Sequence, residues 1–135
     1  MTPHYLFDTS VCIDALRLPV GRVPEGLDRF GSSDTAISAI TLAELHVGLF
    51  KAERSGLQKA RLELLMARVP VLDFSAAAAR HYGEIRAHLE KRGQSIGALD
   101  LLIAAHARSL GATLITSNLK EFKRVPGLTC QNWDR

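Results

Sequence analysis

The sequence predicts an α/β protein, folded as a three-layer sandwich around a short, mainly parallel sheet of four or five strands. Short runs of branched and aromatic apolar residues alternate with longer segments in which apolar residues recur every three or four positions. Their order is β-α, β-α-α, β-α-α, β-α, which is typical of parallel sheets. The chain has 135 residues, of which 47% are hydrophobic, so we expect one domain spanning 1–135.

Charge and cysteine content narrow the class of protein. The 17 Lys and Arg residues exceed the 14 Asp and Glu residues, and a formal net charge of +3 permits a nucleic-acid partner without proving one. Cys12 and Cys130 lack CxxC spacing, so we expect reduced, buried thiols instead of a disulfide or a zinc site. Neither a leader peptide nor a membrane-length apolar stretch is recognisable, so we expect a cytoplasmic protein without membrane contact.

The chain begins with an apolar run that carries polar side chains at its end. Tyr5–Phe7 is predicted as a buried strand that delivers Asp8–Ser10 to its carboxyl end. A helix is expected from about Val11 to Leu18. The Gly- and Pro-punctuated stretch Pro19–Ser33 is predicted as a loop, with at most a short helix over Glu25–Phe30.

The next segment is predicted to hold a strand and a pair of helices. The strand is Thr35–Ser38, and Thr41–Glu44 then matches the Thr-x-x-Glu capping box, which predicts that a helix begins there. Gly56 is expected to end this helix. A partner helix follows over Leu57–Arg68, with Met66 expected in the core.

Three further strands are expected in the second half of the chain. Val69–Leu72 is assigned to a sheet edge because Pro70 cannot donate a hydrogen bond to a neighbouring strand. Thr113–Thr116 is rich in branched residues, and Thr129–Gln131 is expected at the other edge. Trp133 is interpreted as a packing anchor for the end of the chain.

Two long helices separate these strands. One is capped by Ser75 and reaches about Arg92. The other is apolar and alanine-rich, is ended by Gly111, and holds His106 as a packed, hydrogen-bonded histidine. Its buried face is expected to be formed by Leu99, Leu102, Ile103 and Ala107.

Three carboxylates are predicted to meet at one edge of the sheet. Asp8 follows the first strand, while Glu44 and Asp100 lie in the first turns of helices whose starts adjoin the carboxyl ends of parallel strands. Each is also explained singly as a helix cap. Together they would repel one another unless a divalent cation bound, and oxygen ligands favour Mg²⁺ or Mn²⁺. We expect Asp8 and Asp100 to be direct ligands and the chemistry to be hydrolysis at phosphorus by metal-activated water.

Four ordered motifs carry a resemblance to a known family. They are Leu6-Phe7-Asp8-Thr9-Ser10, Ile40-Thr41-Leu42-Ala43-Glu44-Leu45, the stretch Gly97–Ala107 with Asp100 and His106, and the stretch Thr116–Leu128 with Asn118 and Glu121. The combination, which covers nearly the whole chain, resembles the VapC toxins of the PIN-domain family.

The resemblance implies a Mg²⁺-dependent endoribonuclease, with Mn²⁺ as a substitute ion and with Asp8, Glu44 and Asp100 as its acidic residues. It also implies repression by a VapB-type antitoxin and a homodimer that assembles with the antitoxin into a larger complex. Family substrates are structured RNAs, commonly the anticodon region of a tRNA.

The sequence departs from the family pattern at one position. Many PIN domains have a fourth acid where this chain has Asn118. Glu121 is the candidate replacement, and the alternative is that Glu121 is an exposed helix residue paired with a neighbouring cation. Ser10, Thr116 and Asn118 are expected as supporting residues of the site.

Two other readings remain open from the residues. A haloacid-dehalogenase-like phosphatase also uses an Asp at a strand end, but it needs a second Asp where this chain has Ser10. A noncatalytic RNA- or protein-binding module, in which the acidic rim has degenerated, is supported by Asn118. A nuclease would need Mg²⁺ and Asp8, whereas a binding module would need neither.

Overall fold

The computed structural model describes residues 2–17, 34–53 and 55–133. Five strands form one sheet in the order β3-β2-β1-β4-β5, and every neighbouring pair is parallel. The predicted parallel sheet is therefore confirmed, with β3 and β5 at its edges. The strands are β1 (Tyr5–Phe7), β2 (Thr35–Ser38), β3 (Val71–Leu72), β4 (Thr113–Ile115) and β5 (Cys130–Gln131).

Six helices of the described residues cover the two faces of this sheet. They are α1 (Thr9–Leu16), α2 (Ala39–Lys51), α3 (Ser55–Arg68), α4 (Ala76–Lys91), α5 (Ala98–Leu110) and α6 (Leu119–Phe122). One hydrophobic cluster unites the sheet with α1, α2 and α3, and a second unites it with α4, α5 and α6. The three-layer arrangement predicted from the sequence is confirmed.

Successive side chains of the central strands β1 and β4 lie on opposite faces of the sheet and pack in the two hydrophobic clusters in turn. Leu6 and Leu114 belong to the cluster with α4 to α6, while Phe7 and Ile115 belong to the opposite cluster, and all four side chains are fully buried. Residues 5–7 pair in register with residues 113–115. The chain therefore leaves β1 and β4 at the same edge of the sheet.

The start of α2 corrects a prediction. The helix begins at Ala39, because the side chain of Ser38 accepts a hydrogen bond from the Ile40 amide at 3.0 Å and acts as the cap. The capping box proposed for Thr41–Glu44 is therefore wrong, and both residues lie inside the helix. The helix ends at Lys51, so Gly56, expected to end it, instead lies in α3.

Other helix ends agree more closely with the sequence. Ser75 caps α4 through a 3.1 Å hydrogen bond from the Ala78 amide, and Gly111 ends α5 in the left-handed region at φ +66°. Helix α1 begins two residues earlier than expected because Asp8 caps it. The predicted loop at Pro19–Ser33, with its short helix over 25–30, lies outside the described residues.

Three burial predictions are wrong. Met66 is 41% exposed because Leu62 and Leu65 occupy the inner face of α3, and Leu99 is 49% exposed in the first turn of α5. Cys130 is only partly buried, because it lies on the edge strand β5. The thiol of Cys12 is buried and free, as expected.

His106 and Trp133 have the packing roles predicted for them. His106 is buried against the ring of Phe74, and its Nδ1 lies 2.8 Å from the hydroxyl of Ser38. Burial lowers the pKa of His106, which keeps the imidazole neutral. The Trp133 ring contacts Tyr5 and Phe7 edge-on. Within the described ranges, no helix combines the length and apolar character that a membrane crossing requires.

Candidate active site

Asp8 is buried at the carboxyl end of β1, where three donors hold its carboxylate. Its Oδ1 accepts from the Thr9 amide at 2.7 Å, and its Oδ2 accepts from the hydroxyls of Ser10 at 2.9 Å and Thr116 at 2.7 Å. The contact with Thr116 joins the ends of the two central strands. The capping interpretation of Asp8 is thus correct for one oxygen, while the other is oriented by side chains from two elements.

Glu44 lies at the same edge and belongs to a separate hydroxyl network. Its Oε1 accepts from the Thr9 hydroxyl at 2.7 Å, and the Oγ1 atoms of Thr9 and Thr41 lie 3.2 Å apart. Both threonines are buried. The network connects the first residue of α1 to the first two turns of α2.

Asp100 lies in the first turn of α5 and is half-buried. Burial, and then the negative charges of Asp8, Glu121 and Glu44, raise the pKa of Asp100 to about 6. A hydrogen bond between Asp100 and Glu121 favours the protonated form further. Asp8, Glu44 and Glu121 are therefore each close enough to Asp100 to act on it electrostatically.

Glu121 is held at this site by its own contacts. Its Oε2 accepts from the Asn118 side-chain amide at 2.5 Å, and its Oε1 accepts from the Gly97 backbone amide at 3.2 Å. The backbone amide of Asn118 donates to the Thr116 hydroxyl at 3.0 Å. Asn118 thus orients Glu121 toward the start of α5, where Glu121 also shares a hydrogen bond with Asp100. Among the described residues, Glu121 forms no ion pair with a neighbouring cation.

The donor set matches a hard divalent cation in chemistry. Carboxylate and hydroxyl oxygens make up the site, and burial followed by the charges of Asp8, Glu121 and Glu44 raises the pKa of Asp100. Among the described residues, no group of three or more His, Cys, Asp or Glu side chains is arranged to hold a metal. Mg²⁺ commonly retains several waters, so it can be bound by fewer protein side chains than such a group would supply.

Two residues of the site were missed or misassigned in the sequence. Thr9 was expected at the strand end without a role toward Glu44, and Thr41 was assigned to a cap. The alternation of buried and exposed positions in α2 places Thr41 and Glu44 on one side of the helix, one turn apart. No spacing rule reveals that Thr9 lies opposite them.

The sequence is similar to a known domain family and to named relatives along nearly its whole length. A model of the PIN domain matches residues 5–128. Ribonuclease VapC2 of Rickettsia felis is 41% identical over 132 residues, which cover 97% of this chain and 98% of the relative. The tRNA(fMet)-specific endonuclease VapC of Shigella flexneri is 38% identical over 129 residues, which cover 96% and 97% respectively.

Similarity extends to solved structures. The crystal structure of DNA-bound VapBC from Salmonella typhimurium contains a chain that superposes with a TM-score of 0.88 at 36% identity. The match covers 98% of this chain and 99% of that one. The chain therefore belongs to the PIN domain family and, within it, to the VapC ribonucleases.

Proposed function

We propose that this protein is a toxin that hydrolyses a phosphodiester bond of structured RNA in a Mg²⁺-dependent reaction. The reaction is placed at the acidic edge, which is the carboxyl edge of the sheet where Asp8, Glu44, Asp100 and Glu121 lie. The observation that carries the proposal is the convergence of Asp8, Glu44 and Glu121 on Asp100, whose pKa is raised to about 6 first by burial and then by these three charges. A bound Mg²⁺ would lower the pKa of a water and offset the charge of the phosphodiester. Asp8 and Asp100 are the proposed ligands.

The protein's own residues have distinct tasks in this proposal. Asp8 is held in a fixed orientation by Ser10 and Thr116, so its carboxylate loses little freedom when it binds a cation. Glu44 orients the attacking water, and Glu121 adds the fourth negative charge that Asn118 cannot supply. Asn118 holds Glu121 in place through its side-chain amide.

The proposed substrate is a tRNA, cut in the anticodon region. One relative is named a tRNA(fMet)-specific endonuclease, at 38% identity over nearly the full chain. Water as nucleophile would leave a 5′-phosphate and a 3′-hydroxyl. Among the described residues, only His81 and His88 share an element, α4, and the side-chain hydrogen bonds of the histidines do not involve the four acids. No histidine pair at the site is therefore set for the transfer of protons to and from a 2′-hydroxyl.

The substrate is tested by mapping new 5′-phosphate ends in cellular RNA after brief expression of the protein. The expected result is a small number of sites within tRNA anticodon loops, absent when Asp8→Asn is expressed at the same level. Cleavage spread over many RNAs would contradict the tRNA assignment. Growth arrest without any new 5′ end would instead favour the noncatalytic binding module.

We also propose a binding site for a VapB-type antitoxin beside the acidic edge. The structural relative from Salmonella typhimurium is a VapBC complex. A groove of about 250 Å³ lies between α1, α2 and α3, lined by apolar side chains and by Arg17, Arg61 and Glu44. An apolar antitoxin segment in this groove would place a basic side chain near Glu44. We also propose that the protein forms a homodimer, which assembles with the antitoxin into a larger complex.

Gly48→Leu tests the groove with little risk to the fold. Gly48 lines the groove on α2, and a Cβ there would meet no atom within 4 Å. The leucine side chain should occupy space that the antitoxin needs, so we expect binding of the antitoxin to weaken at least about tenfold, as measured by calorimetry. RNA cleavage by the protein alone should stay unchanged.

Gly83→Leu is the matched control for that substitution. Gly83 also lies in a helix, α4, where a Cβ would meet nothing within 4 Å, and it does not line the groove. Its antitoxin affinity should equal that of the wild type. Equal affinity for Gly48→Leu would place the antitoxin on another surface.

A further inference from the structure

The hydroxyl of Thr9 connects two helices beside the acidic edge. Thr9 is 6% exposed and Thr41 is fully buried, so both hydroxyls depend on partners within the protein. The contacts join residues 32 and 35 positions apart in the chain. They therefore fix the position of α1 relative to α2 at this edge.

The direction of these hydrogen bonds follows from the chemistry of the groups. An ionised carboxylate only accepts, so the Thr9 hydroxyl donates its single proton to Oε1 of Glu44 across 2.7 Å. The Thr41 hydroxyl is then the donor to Thr9 across 3.2 Å. A chain of donors thus runs from Thr41 through Thr9 to Oε1 of Glu44.

Glu44 is constrained on one oxygen by this chain. Within the described part of the chain, the Glu44 side chain accepts its hydrogen bond through Oε1, and Oε2 has no hydrogen bond there. Its charge contributes to the raised pKa of Asp100, so the carboxylate lies within electrostatic reach of the other acids. A tethered Oε1 leaves Oε2 as the oxygen that can act on a ligand of the site.

We propose that Thr9 is a positioning residue for the ribonuclease reaction. Its hydroxyl binds Oε1 of Glu44, which orients Oε2 toward the attacking water. This inference rests on the proposed function. Thr9 touches neither RNA nor cation in this account and acts only through Glu44. Without the tether, Glu44 would sample several rotamers, and fewer of its conformations would be productive.

Thr9→Val and Thr9→Ser separate this role from simple packing. Valine keeps the shape of threonine and removes the donor, whereas serine keeps the donor. Loss of a side chain that orients a site residue costs about 10–100-fold, so we expect kcat of Thr9→Val to fall at least about tenfold. The KM for RNA should remain within about twofold, and Thr9→Ser should retain a kcat within about twofold of the wild type.

Thermal unfolding of the metal-free protein gives a second readout. If the two groups are coupled, Thr9→Val should lower Tm clearly in the wild-type background and less than about half as much in a Glu44→Ala background. If Thr9→Val does not fold, Thr9→Ala takes its place in both measurements. Equal Tm losses in the two backgrounds would overturn the proposal, as would a slow Thr9→Ser variant or an unchanged kcat for Thr9→Val.

The same measurements distinguish an error in the proposed ribonuclease function from an error in the role of Thr9. A wild-type protein that cleaves no RNA would remove the ribonuclease assignment, while the Tm comparison would still report whether Thr9 and Glu44 are coupled. A wild-type protein that cleaves RNA, together with a Thr9→Val variant of equal kcat, would remove only the role of Thr9.

Discussion

Asp8→Asn is expected to reduce RNA cleavage by at least about 100-fold, because loss of a ligating negative charge removes several kcal/mol of transition-state stabilisation. The substitution preserves shape and retains one oxygen that can accept from Ser10 and Thr116, with loss of the single hydrogen bond from the Thr9 amide. The fold should therefore persist. Cleavage of a tRNA substrate in Mg²⁺, with circular dichroism as a check on folding, measures the effect.

Asp14→Asn is a matched control for that experiment. Asp14 lies on the same helix, α1, but its side chain is exposed and it takes no part in the contacts of the acidic edge. It should cleave RNA at the wild-type rate. An Asp8→Asn variant that matches the Asp14→Asn variant in rate would show that Asp8 is not a ligand of the essential ion.

Asp100→Asn is expected to reduce RNA cleavage about as much as Asp8→Asn does. It should also stabilise the metal-free protein at neutral pH. The pKa of Asp100 is raised from 3.8 to about 6, first by burial and then by Asp8, Glu121 and Glu44. At pH 7.5 the folded protein therefore carries an unfavourable charge, which asparagine removes. Since the side chain is half-exposed, we discount the shift to about 1 kcal/mol, or roughly 4 °C in Tm.

The pH dependence of this gain has a definite sign. A carboxyl group whose pKa is higher in the folded protein favours folding below the unfolded value of 3.8, and this contribution is lost as the pH rises through about 6. The Tm advantage of Asp100→Asn should therefore be largest above pH 6.5 and absent near pH 4. Unfolding scans in EDTA across this range measure it. An advantage that is independent of pH would contradict electrostatic repulsion as its cause.

The parts of the fold that depend on local patterns were predictable. Tyr5–Phe7 and Thr113–Ile115 are short apolar runs, and the rule that parallel strands share a carboxyl edge placed Asp8 near Thr116. The same rule brought Glu44 and Asp100 to that edge. Because these inferences need only strand direction, errors of one or two residues in helix boundaries did not disturb them.

Features that depend on tertiary contacts were not predictable. Ser38 competes with Thr41 for the capping role, and only the path of the chain after β2 decides between them. Leu99 follows the helical pattern of buried residues, yet it is 49% exposed, while Leu101 in the same turn of α5 packs in the core. The pairing of Thr9 with Glu44 joins residues 35 positions apart, which no local spacing reveals.

If the acidic edge acts through a divalent cation, the metal-free protein should not cleave RNA. The protein is dialysed against EDTA and then assayed with and without added Mg²⁺, with Asp14→Asn as a second active sample. We predict no cleavage in EDTA and recovery on addition of Mg²⁺ or Mn²⁺, with 5′-phosphate and 3′-hydroxyl ends. Undiminished cleavage in EDTA that leaves a 2′,3′-cyclic phosphate would rule out metal-activated water as the nucleophile.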